Sequence, residues 1–145
     1  MIEINMDITT VPANSFVAHG VNCKKVMGSG VALAISNKWP KVKEEYLNIN
    51  HPYLGLVQAV NTTDNGITVF NCFTQIGFGK SGIHASAAAI RRCLTQIGDR
   101  INNTPLYIPR IGAGLGGLSW DFDVVPEIIF AENLTSMNVI VCNWR

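Results

Sequence analysis

The runs Ile67 to Phe73 (ITVFNCF), Pro105 to Pro109 (PLYIP) and Met137 to Cys142 (MNVIVC) are apolar nearly throughout, without the alternation of a half-exposed strand. Strands of that kind need cover on both faces, which a largely parallel sheet between helices supplies. Stretches with helical spacing lie between them. Ile83 to Ile97 is the clearest: Ile83, Ala87, Ile90, Leu94 and Ile97 form one apolar stripe, and Gly98 fits its C-cap.

The remaining elements follow the same logic. Met1 to Asn5 and Ser15 to His19 read as short strands around a turn containing Pro12 and Asn14. VALAISNKW reads as a helix stopped by Pro40, which can itself open the next one, PKVKEEY. Leu54 to Val60 and Ile67 to Phe73 flank TTDNG and read as paired strands. Phe122 to Leu134 supplies a last helix, before the strand Met137 to Cys142. This alternation predicts one α/β domain over residues 1–145, a three-layer α/β/α arrangement around a mixed sheet of six strands.

A chain of 145 residues, 48% apolar and 14% charged, can bury a core without covalent staples. Cys23, Cys72, Cys93 and Cys142 are therefore read as free thiols rather than as a disulfide framework. A net charge of +1 and no run of Lys or Arg give a nucleic-acid partner little support. The start shows no leader pattern, and no run of 18 apolar residues occurs. The expectation is a soluble, cytoplasmic monomer without membrane contact. The three histidines are scattered and the cysteines lack ligand spacing, so neither a metal nor a cofactor is expected.

Two loops are rich in glycine. Gly20 to Gly30 (GVNCKKVMGSG) runs into a helix, and Gly112 to Gly117 (GAGLGG) follows the strand ending at Pro109. Loops at the carboxyl ends of strands collect ligands in open α/β sheets. Amides exposed there, with helix N-termini, bind phosphate oxygens without lysine. Neither loop has strict P-loop or G-x-G-x-x-G spacing, so structural turns are the alternative. Asp7, just after the first strand, can either accept a hydrogen bond from an exocyclic amine or cap a short turn.

Taken together, MDIT, AHGVN with MGSGVALAI, NCFTQIGFG and PRIGAGLGGLSW resemble the macro domain family, in the right order over essentially the whole chain. Within it, the glycine loops resemble the branch containing ADP-ribose 1''-phosphate phosphatases. The resemblance implies an ADP-ribose cleft at the crest of the sheet, with no metal. By position, Asp7 and Ile8 would meet adenine and Asn22 would bond the distal ribose. Gly28, Ser29 and Gly30 would wrap that ribose and its substituent. Ile111, Gly112, Ala113, Gly114 and Leu115 would supply amides to the diphosphate, and Asn143 and Trp144 an adenine-side wall.

Another branch removes ADP-ribose from macromolecules with a lysine and an aspartate. Gln75 and Gly116 stand at those positions here, and Lys80 is five residues from the first. The resemblance therefore implies a phosphatase releasing phosphate and ADP-ribose from the 1''-phosphate. A non-catalytic ADP-ribose binding module, or a hydrolase acting on an ADP-ribosylated protein, is the alternative. His19, at the end of its strand and able to titrate near neutrality, is the candidate for proton transfer; ordering the first loop is its other reading. His84 is read as capping the long helix, Asp121 and Asp123 as favouring a helix N-terminus or facing the cleft. His51 receives no role.

Overall fold

Strand β2 (Phe16–Asn22) lies at the centre of a six-stranded sheet. The structure is a computed structural model that describes residues 1–78 and 82–143. On one side β2 pairs in parallel with β4 (Thr68–Gln75), and on the other with β5 (Pro105–Ile108). Outward from β5 come β6 (Asn138–Cys142) and then β1 (Ile2–Ile4), both parallel. Strand β3 (Val57–Asn61) runs antiparallel to β4 at the opposite edge, completing the order β1-β6-β5-β2-β4-β3.

Both faces are covered, as the apolar strands require. Val17 and Val21 of β2 pack with Ile35, Trp39, Val42 and Tyr46 of α1 (Gly30–Lys38) and α2 (Pro40–Leu47). Ala18, on the other face, packs with Ile90, Leu94 and Ile97 of α3 (Ala87–Ile101) and with Ile128 of α4 (Val125–Thr135). The three-layer mixed α/β fold is as the sequence indicates. All four cysteines are free, and Cys72, Cys93 and Cys142 are buried. The neighbouring Cys93 thiol, and then burial, push the Cys72 thiol well above its usual range.

Several boundaries differ from the sequence reading. Helix α3 begins at Ala87, where the Ser86 side chain accepts from the Ala89 amide at 3.1 Å. Ile83 is therefore outside the helix and 72% exposed, and Ser86 rather than His84 makes the cap. Gly98 is no C-cap: it lies within α3, which ends at Ile101 before Asn102 at φ 55°. Its reason is contact with α4, because an added Cβ would stand 2.7 Å from the Cβ of Thr135. Strand β2 continues past His19 to Asn22 on its ladder with β4. The predicted helix from Phe122 divides into a wide turn (Trp120–Val124) and α4, with Pro126 in the first turn of α4. Ser119 and Asp123 cap that turn reciprocally, through Phe122 N–H at 3.2 Å and Ser119 N–H at 2.7 Å.

Gly98 gives the first test. In an open helix, Gly→Ala stabilises by about 1 kcal/mol. Here the added methyl collides with α4, and overpacking costs about 1–3 kcal/mol. Gly98→Ala is expected to lower the melting temperature by several degrees, read by thermal unfolding; a rise would show that α4 yields at no cost.

Candidate functional site

The carboxyl ends of β2, β4, β5 and β6 open on a cleft of about 880 Å³. Asn22, the last residue of β2, shapes the first loop. Its Oδ1 accepts from the amides of Lys24 (2.9 Å) and Val26 (3.3 Å), while Nδ2 donates to the Val26 carbonyl at 2.7 Å. These partners decide which end of the amide is which. They also fold the loop back on itself, with Lys25 at φ 62°.

The loop leads into α1, and the N-cap residue, Ser29, makes no side-chain capping bond. A helix start leaves its first amides in need of outside acceptors, and Gly28 to Ala32 line the cleft. Positions Gly28 and Gly30 have nothing within 4 Å of an added Cβ, so bare backbone forms this wall. The positive end of a helix of nine residues thus borders the cavity with its capping position vacant.

The second loop supplies another side. Not every amide expected there is available: Ile111 N–H donates to the Pro109 carbonyl at 2.8 Å and Ala113 N–H to that of Arg110 at 3.3 Å. Among the described residues, the Gly112 and Gly114 amides have no acceptor. The glycines divide by task. Gly114, at φ 64°, faces open space, whereas Gly117, at φ 84°, admits the Gly82 carbonyl oxygen to within 2.8 Å of where a Cβ would stand. Gly116 lies beside Gln75, whose Oε1 is 3.6 Å from an added Cβ and whose Nε2 donates to the Gly77 carbonyl at 3.0 Å.

His19 is in the floor, 1% exposed, with Nε2 2.6 Å from Asn71 Oδ1. Asn71 Nδ2 donates to Val42 O and Gln58 Oε1, so Asn71 Oδ1 is the acceptor and His19 Nε2 carries the proton. The other nitrogen, Nδ1, is buried and has no partner among the described residues. Burial lowers the pKa of His19 to about 4, with the Asn71 bond opposing. At neutral pH the ring is therefore uncharged, its one proton is committed to Asn71, and Nδ1 keeps a free lone pair beneath the surface of the cleft.

Asp7 caps a short turn through Oδ1, which accepts from Thr9 N–H at 2.9 Å and Thr9 Oγ1–H at 2.8 Å; Ile8 behind it is buried. Neither residue is among those lining the cleft. Leu115 contributes backbone only to the described structure, and Trp144 and Lys80 lie outside it. His84 is tied by its backbone, donating to Gly116 O at 2.9 Å and accepting from Ile76 N–H at 3.2 Å.

Sequence reading missed the rim around Glu3. Its carboxylate accepts from Arg110 Nη2 (2.9 Å), Trp120 Nε1 (2.7 Å) and Asn143 Nδ2 (2.8 Å). The Arg110 bond leads the contacts that hold this carboxyl below its usual range, against some desolvation. Arg110 also lies over the Trp120 ring, 5.2 Å from its centroid. It is the one charged side chain among the described residues lining the cleft. An arginine directly before the glycine loop was the only local signal.

No protein-family profile matches the chain. An uncharacterized 17.5 kDa protein of Enterobacteria phage T4 is 26% identical over 139 residues, spanning 89% of this chain and 86% of that one. Among solved structures, a protein of unknown function from Bacteroides thetaiotaomicron is 27% identical at a TM-score of 0.85, over 97% and 96% of the two chains. A macrodomain protein from Streptomyces coelicolor is 26% identical at a TM-score of 0.79, over 98% and 97%. A Trypanosoma brucei macrodomain solved in complex with ADP-ribose matches the fold at a TM-score of 0.72 and 12% identity, over 97% and 62%.

Proposed function

We propose that this chain, whose fold is that of solved macrodomains, is itself a macro domain and binds ADP-ribose in its crest cleft, the diphosphate seated on backbone amides. The observation that carries this reading is the uncapped start of α1, which shares one cavity with the Gly112 and Gly114 amides, unpaired among the described residues. Such donors favour anionic oxygens and add no positive side chain. The macro-domain complex with ADP-ribose supports the same ligand. Asn22 with Gly28 to Gly30 would then face the distal ribose, while Asp7 and Ile8, which do not line the cleft, would meet adenine only beyond its edge. Calorimetric titration with ADP-ribose should give saturable one-to-one binding; its absence would refute the reading.

A second reading, hydrolysis of ADP-ribose 1''-phosphate, is favoured by Gly116 and Gln75, which both line the cleft where the resemblance places the aspartate and lysine of the ADP-ribose-removing branch. Water would attack phosphorus and the bond to the ribose oxygen would break. That oxygen would take a proton, and ADP-ribose and inorganic phosphate would leave. His19 would enter this scheme through Nδ1, since Nε2–H is engaged, and only where a shift of the floor on ligand binding exposes that buried nitrogen. Phosphate release from ADP-ribose 1''-phosphate by wild type and His19→Ala, with ADP-ribose affinity measured on both, tests it. Turnover lost at preserved affinity assigns His19 a part. Binding without release leaves a binding module, or a hydrolase acting on an ADP-ribosylated protein.

A further inference from the structure

We propose that Tyr46, which is not among the residues lining the cleft, positions Asn22 so that it meets the ligand only as a hydrogen-bond donor. Tyr46 thereby sets the preference of the cleft for the acceptor oxygens of the sugar beyond the diphosphate. The proposal rests on the ADP-ribose reading above. Tyr46 is wholly buried on α2, its ring 5.7 Å from that of Phe73. Its hydroxyl hydrogen is shared between the Asn22 backbone oxygen at 2.7 Å and Asn22 Oδ1 at 2.9 Å. Burial pushes the phenol pKa up to about 12, so the hydroxyl keeps the proton it donates.

Asn22 Oδ1 also faces the Lys24 and Val26 amides, and three donors around one carbonyl oxygen leave no lone pair for a ligand. Nδ2 is different. One hydrogen goes to Val26 O, and the other has no acceptor among the described residues. Asn22 is 6% exposed and lines the cleft, so what it offers is one N–H. A sugar hydroxyl or phosphate oxygen can accept that bond, whereas an ammonium group cannot. Because the Tyr46 hydroxyl bridges the backbone and side-chain oxygens of the same residue, it fixes the torsion that aims this N–H.

ADP and ADP-ribose share adenosine and diphosphate and differ in the distal sugar, so their affinity ratio isolates the contact. Wild type is expected to bind ADP-ribose more tightly than ADP. Tyr46→Phe, which keeps the ring against Phe73, should reduce that ratio by about tenfold while ADP affinity stays within about twofold. Equal weakening of both ligands would mean that Tyr46 serves only the core and would overturn the proposal. An unchanged ratio, or equal binding of both ligands by wild type, would do the same. Wild type gives an independent readout if the variant does not fold: the Asn22 side-chain amide resonances should move with ADP-ribose and not with ADP. No difference there overturns the proposal. Failure of wild type to bind either nucleotide removes the ADP-ribose reading itself.

Discussion

Gly20→Val is expected to lose about 3 kcal/mol of stability, lowering the melting temperature by about 10 °C, and to weaken ADP-ribose binding with it. Even the Cβ of alanine would stand 2.6 Å from Thr74 Oγ1 and 3.0 Å from Ile111 Cγ1. Neither neighbour retreats easily. Thr74 is wholly buried where the β2–β4 register skips a residue, and Ile111 starts the second glycine loop. Pushing Ile111 outward displaces the Gly112 and Gly114 amides. The cause can be separated from general damage. Among the described residues Thr74 Oγ1 has no hydrogen-bond partner, so Thr74→Ala alone should be close to neutral. In the Gly20→Ala background it should restore about 1 kcal/mol, a coupling that chemical denaturation of the four proteins would measure. Strict additivity would place the strain elsewhere.

The second large effect is a loss of stability in acid traceable to His19. Its folded pKa, about 4, lies below the value of about 6.5 for an exposed imidazole. The native state thus resists a proton that the unfolded chain accepts. Stability from this group is complete above pH 6.5 and falls as pH drops toward 4. The difference amounts to about 3 kcal/mol. Wild type and His19→Gln should therefore show different slopes of unfolding free energy against pH across that window, the variant being flatter. Glu3, whose carboxyl is also held low, adds acid sensitivity of its own below this range, but both proteins share it. Parallel slopes would show that the imidazole is reached by water or proton in the native state.

The elements could be read from sequence because each carries its pattern locally. Apolar runs, Pro40 at the start of α2 and the stripe of α3 all act within a few residues. Gly98 misled for the same reason: a glycine that ends a helix and one that admits a neighbouring helix look alike until Thr135 is placed. The candidate site was legible in its backbone. Gly28, Gly30 and Gly114 line the cleft, with open space where side chains would stand. Its polar fittings were not legible, since Tyr46 reaches Asn22 from another layer and Asn71 meets His19 only through the β2–β4 register. Asp7 could be read either as a cap or as a ligand contact; it forms the cap, with Oδ2 uncommitted among the described residues.

The pairing of β1 with β6 has a consequence for how the molecule is made. Glu3 and Asn143, bonded at the rim, are 140 residues apart in the chain. Among the described residues strand β1 has β6 as its one sheet neighbour, so during synthesis it waits unpaired while the central strands and their helices can already assemble. Arg110 emerges earlier than β6, yet its carboxylate partner is carried on a strand that cannot dock until β6 arrives. The binding wall at that end is thus completed in one late, cooperative step, when the first and last strands, remote in sequence, meet at one edge of the sheet. A nascent chain stopped short of β6 can hold a nearly complete core and still lack a finished cleft.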